Sequence, residues 1–270
     1  MFNIKAGATL LLGRNSTEGT GKLIVDGTTT TAIAGSTVRV NDGARFTLEK
    51  NATLQGANST QTGGAVYTES KNVDAVNLET ATPEDNMVVI KGTVQNNKST
   101  ADGPGIYVEE DASLGVSGAT FYMNQSTSSG AGAAICMKAG AVVISQDATF
   151  EKNEVPNSKN GGAIYCGGTF KDANSKYSEN KAKNGGAIFI PSGGYITLTG
   201  TDTTKAIFSN NQARGASNSR GGAIFVNGGS LNVTGYTFTG NTCTQSVDSA
   251  EKAAIHKASG SYESENVTFQ

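Results

Sequence analysis

Gly185-Gly186-Ala187-Ile188-Phe189 returns, residue for residue, as Gly221-Gly222-Ala223-Ile224-Phe225, and with a tyrosine in last place as Gly161-Gly162-Ala163-Ile164-Tyr165. Looser copies stand at Gly63-Gly64-Ala65-Val66-Tyr67, Gly103-Pro104-Gly105-Ile106-Tyr107, Gly132-Ala133-Ala134-Ile135-Cys136 and Lys252-Ala253-Ala254-Ile255-His256. A second motif follows each copy up to 221: an aromatic or aliphatic residue, two variable residues, then Asn. It runs Val94 to Asn97, Phe121 to Asn124, Phe150 to Asn153, Tyr177 to Asn180, Phe208 to Asn211 and Phe238 to Asn241. In five of seven copies, counting a last one that reaches Phe269, the first Gly position lies 16 to 18 residues before that ring. The two longer intervals carry insertions, Glu69 to Asn86 with its Pro83-Glu84-Asp85, and Ser192 to Lys205. Stacked strands cannot change length freely whereas a surface loop can. The pattern therefore predicts a β-solenoid whose coils share one variable, Asn/Ser/Gly/Lys-rich corner, as in Gln212 to Arg220.

Numbering the first motif from one to five, position four reads Val66, Ile106, Ile135, Ile164, Ile188, Ile224 and Ile255. A uniformly aliphatic column faces a core, and burying each member contributes roughly 1.5–3 kcal/mol. Strand alternation then sends position two and the sixth residue (Thr68, Val108, Met137, Cys166, Ile190, Val226, Lys257) inward, and positions three and five outward. The rings Phe121, Phe150, Tyr177, Phe208 and Phe238 predict an internal stack. Asn97, Asn124, Asn153, Asn180, Asn211 and Asn241 predict a structural ladder at a corner. Asn tolerates left-handed backbone angles there, and amides repeated at the ~4.8 Å strand spacing can bond one above another. A middle strand, such as Ala141 to Ile144 or Tyr195 to Leu198, falls between the motifs. Three short strands per coil give an all-β chain: a single-stranded right-handed parallel β-helix with triangular coils, the hand taken from the crossover rule.

Residues 1–62 lack the Gly motif but keep short strands at Ala8 to Leu12, Lys22 to Val25, Thr37 to Val40, Arg45 to Leu48 and Ala52 to Leu54. They are expected to form irregular N-terminal coils leading into the repeat coils of 63–270, one elongated domain without a linker. With 36% hydrophobic residues, 35 Gly, no Trp and 4 Pro, the chain can bury a core but spreads it along an axis. The start lacks the positively charged segment and the apolar segment of a secretion signal, and a net charge of −2 with scattered Lys and Arg gives no footprint for nucleic acid. Cys136, Cys166 and Cys243 form no CxxC pair, and the first two fall on opposite faces by alternation, so free thiols are expected.

Position five turns outward yet stays largely aromatic: Tyr67, Tyr107, Cys136, Tyr165, Phe189, Phe225, His256. Flanked by the small residues of position three, Tyr67, Tyr107, Tyr165, Phe189 and Phe225 are expected to form a flat apolar strip able to hold a glycan or a protein partner. The bland reading is that a loop covers the strip, or that ring stacking only joins adjacent coils. Polysaccharide hydrolysis would need paired carboxylates at a fixed separation, and lyase chemistry a calcium-binding carboxylate cluster with a basic residue. Here the acidic residues share no motif position, and Glu109-Glu110-Asp111 reads as a solvated turn. His256 is the only histidine; no nucleophile triad, zinc set or phosphate-binding Gly loop accompanies it.

Together, the GGAI-like and FxxN motifs resemble the repeats of chlamydial polymorphic outer-membrane proteins over residues 63–270, with the copies at 161, 185 and 221 matching both motifs. That resemblance implies a β-helical autotransporter-type surface adhesin, extracellular or on the bacterial surface, and a fragment of a larger surface protein. The expected function is a non-catalytic adhesin or structural module that binds a cell-surface glycan or protein, without cofactor, metal, nucleic acid or direct membrane insertion. The alternative is a polysaccharide lyase or glycoside hydrolase of the pectin-lyase-like β-helix type.

Overall fold

Isoleucine lies over isoleucine along the chain: Ile106 pairs with Ile135, Ile135 with Ile164, Ile164 with Ile188, Ile188 with Ile224 and Ile224 with Ile255, all in parallel strands. The computed structural model describes residues 1–13, 21–71, 80–215 and 218–270. Among them, every pair of named strands is parallel, and each repeat coil contributes three principal strands. The first motif gives strands such as Ile135–Met137 and Ile164–Cys166, the middle segment Val142–Gln146 and Thr169–Ala173, and the second motif Thr149–Glu151 and Lys176–Ser178. Stacking these in register makes a three-sided parallel β-helix. Its sheets already include strands of the early residues, since Phe2–Ile4 pairs with Val38–Val40 and Leu23–Asp26 with Ala52–Gln55.

The main core is one continuous cluster running the length of the solenoid, and the position-two residue Ala133, expected within it, packs instead with Val155 and Ala182 in a small second cluster. Position four and the sixth residue up to Val226 fill it from one side, with Thr68 the buried polar exception; Lys257, expected inward by alternation, is exposed. Position three departs from the alternation argument. Ala65, Ala134, Ala163, Ala187, Ala223 and Ala254 are fully or almost fully buried in the core, because the strand starts only at position four and the preceding residues are bent. The second-motif rings stack face to face inside, Phe121 on Phe150 at 5.0 Å, then Tyr177, Phe208 and Phe238 at 4.9, 4.3 and 4.7 Å. Such pairs add about 0.5–1.5 kcal/mol each beyond the area they bury.

The paired glycines have two separate reasons. Gly185 holds φ +59°, which favours a residue without Cβ, and a Cβ on Gly186 would lie 2.1 Å from the Gly222 carbonyl of the next coil. Where the motif loses its glycines, at Lys252, the chain enters the coil through a short helix instead, Ala250–Ala254, whose Lys252 N–H is capped by the Ser249 side chain at 3.2 Å.

The first insertion folds back over the middle face. Residues 72–79 within it lie outside the described residues; a 3-10 turn, Pro83–Asp85, seats the Pro83 carbonyl where a Gly115 Cβ would stand, 1.9 Å away. Val89, Gly115 and Ile144 point away from the core yet are buried. Of the second insertion, Tyr195–Thr199 is regular middle strand; the extra residues are the turn after it, where Thr201 and Asp202 donate to Asn174 Oδ1 at 2.7 and 3.0 Å. Residues 216–217 of the variable corner Gln212 to Arg220 also lie outside the described residues.

Candidate functional site

Two repeated columns leave the core: the amide ladder and the outer rings. Each interior Asn of the ladder is buried with its amide filled. Asn180 donates from Nδ2 to Asn211 Oδ1 at 2.9 Å and to the Phe150 carbonyl at 2.9 Å, while its Oδ1 accepts from Asn153 N and Nδ2 at 3.0 and 3.1 Å. The same pattern joins Asn97 to Asn124, Asn124 to Asn153 and Asn211 to Asn241. Ala57 takes the place of an asparagine one coil earlier and supplies its N–H to Asn97 Oδ1 at 3.0 Å. The left-handed residue is not the ladder Asn, as expected from its side chain, but its predecessor: Asn96, Met123, Lys152, Glu179 and Asn210 have φ between 53 and 56°. That kink turns the next residue inward, where its amide becomes structural.

The outer column forms as an array of rings. Tyr67 stacks on Tyr107 at 5.6 Å; after the gap at Cys136, Tyr165, Phe189 and Phe225 follow at 5.5 Å each, and His256 closes the row at 5.2 Å from Phe225. None of these side chains belongs to the core cluster. The expected flat exposed strip is nevertheless absent. Tyr107, Phe189 and Phe225 are buried, and Tyr67 and Tyr165 only half-exposed, because each ring hides its faces in its neighbours and position three has gone inward. Tyr67 is further covered by the Arg39 guanidinium 4.3 Å above its ring, and its hydroxyl donates to Glu109 Oε2 at 2.7 Å. Burial, then the Glu109 carboxylate, pushes that phenol up to about 12. Burial also raises Tyr107, Tyr165 and the Cys136 thiol, and lowers His256, whose Nε2 accepts from Arg220 at 3.3 Å. The column thus presents ring edges, two half-open tyrosines beside the first rung and the Cys136 gap, and no ionised group of its own near neutrality.

Glu109 is engaged with Tyr67, and Asp111 pairs with Lys71 across exposed surface at 3.4 Å. The sequence sets Asp172, beside Ala173, among the turn-like aspartates; the structure places it instead in the strand Thr169–Ala173, 4% exposed, at an inward position between Ser145 and Leu198. It accepts from Ser175 Oγ at 2.6 Å, Tyr236 Oη at 2.6 Å and Tyr177 Oη at 3.0 Å. Tyr236 reaches it from two coils further on, past the small Ala206. Burial raises the Asp172 carboxyl above its ordinary range, opposed by these hydroxyls. Strand alternation could have flagged it, since Phe170 and Asp172 share a face.

The fold and its two repeated columns define a parallel β-helix repeat protein. The sequence pattern of the Chlamydia polymorphic membrane protein repeat matches residues 147–167 and 205–227, so the chain carries repeats of that type, a type found in surface-exposed outer-membrane proteins. Comparison with curated proteins and with solved structures gave no match.

Proposed function

We propose that the chain is a non-catalytic, surface-binding β-helix of the adhesin kind, working outside the cell or on the bacterial surface, with a cell-surface glycan or protein as its partner. One observation carries this reading: a column of rings is kept through coil after coil on the side away from the core, where hydrophobic packing of the interior does not require it. Its half-open tyrosines are Tyr67 and Tyr165, whose ring edges supply apolar contact at small entropic cost. The repeat type supports the surface setting. Engagement of Glu109 and Asp111 in separate contacts, and enclosure of Asp172 within the core, support a binding role over hydrolysis. The test is attachment of the purified protein to cultured epithelial cells, comparing wild type with Tyr67→Ser/Tyr165→Ser. Attachment should fall severalfold with an unchanged β-sheet spectrum; undiminished attachment contradicts the ring column as the binding surface.

A further inference from the structure

Sugars stack on the face of an aromatic ring, and the outer column hides its faces. Tyr195 does not. It is 39% exposed, makes no ring pair among the described residues, and its hydroxyl accepts from Asn232 Nδ2 of the following coil at 3.3 Å. It stands on the outer side of the middle face, beside a column in which register places Ile144, Lys171, Thr197 and Asn232 one above another. A groove of about 200 Å³ opens there, walled on one side by Thr82 and Pro83 of the first insertion and edged by Gln146 and Thr199.

The lining is mostly hydroxyls, with Gln146 as an amide, Ile144 as an apolar spot, Lys171 as a cation and Tyr195 as a free ring close by, a combination that recognises a polyol. Exposed Glu263 and Glu265 further along the same face oppose the Lys171 charge, so the face as a whole exerts no net pull on an anionic ligand. Coils repeat every ~4.8 Å, close to the length of one pyranose unit, so successive rungs can meet successive sugars. We propose that this groove binds a neutral oligosaccharide lying along the solenoid axis, one sugar resting on Tyr195. The inference rests on the surface-binding reading above and adds a ligand class and a site separate from the outer ring column.

The test is saturation-transfer NMR and titration calorimetry with cellotetraose, mannotetraose and lacto-N-tetraose, and a sialylated lacto-N-tetraose as the acidic comparison. At least one neutral sugar should bind, more tightly than the acidic one. Tyr195→Ser and Thr197→Val, both at surface positions, should each weaken it by about tenfold or more with the circular dichroism unchanged. Silence from every neutral sugar, affinity unmoved in both variants, or tighter binding of the sialylated sugar overturns the proposal. Cell attachment measured in parallel separates the two readings: attachment with no sugar bound overturns the groove and leaves the surface role, and sugar bound without attachment does the reverse.

Discussion

Replacing Asn180 by alanine removes four hydrogen bonds from a site with no access to water. Asn211 Oδ1 keeps a partner, because the Asn180 backbone N–H also donates to it at 3.0 Å. Two groups are left unpaired, the Asn153 N–H and one Asn153 amide proton, while the Phe150 carbonyl keeps its place in the parallel ladder with Lys176–Ser178. Each orphan costs about 1–3 kcal/mol when buried, so a loss of about 2–4 kcal/mol is expected. Asn97→Ala strands only the Ala57 N–H and should cost less, about 1–2 kcal/mol. Urea unfolding followed by circular dichroism gives the totals, and amide hydrogen exchange at Asn153 locates the loss, which matters because repeat arrays can unfold in parts. If Asn180→Ala costs under about 1 kcal/mol, or Asn153 keeps its protection, the amide column is ornament and the reasoning fails.

With its folded pKa raised by burial, Asp172 favours folding most below its unfolded pKa, and that contribution fades as pH climbs through the folded value; the stability of wild type relative to Asp172→Asn should therefore decline from mildly acidic toward neutral pH, read by denaturant midpoints across that window. A double-mutant cycle on Phe189 and Phe225, whose rings lie 5.5 Å apart and 3° from parallel, should return a coupling of about 0.5–1.5 kcal/mol. Gly186→Ala drives a methyl against the Gly222 carbonyl and should destabilise by more than about 3 kcal/mol or prevent folding, seen as loss of soluble β-sheet protein. Cys166, enclosed and pushed up to about 12, and Cys136, enclosed likewise, should resist iodoacetamide in the native protein, leaving Cys243 as the residue found alkylated by mass spectrometry.

Register was legible because position four never varies in character and the first Gly position lies 16 to 18 residues before the ring in five of seven copies, so the sequence alone aligns Ile164, Ile188 and Ile224. The Asn ladder was legible for the same reason. What escaped depends on where a strand begins and on what lies across the face. Position three went inward because alternation does not extend into the bend before Ile188, and that single offset removed the small residues expected to flank the rings. Pro83 on Gly115 is a contact between an insertion and a neighbouring coil, for which no repeat supplies a pattern. Asp172 looked like one more turn aspartate until Tyr236, two coils on, was seen to end at its carboxylate.

The amide column also has a sense of direction. Every Asn passes its proton to the asparagine of the coil that comes later in the chain, from Asn97 through to Asn241, and none passes it back. Six side-chain dipoles thus point the same way and polarise one another. Each turn offers a donor to the turn after it and an acceptor to the turn before it, so the side chains from Asn97 to Asn241 join the coils in one continuous hydrogen-bonded line.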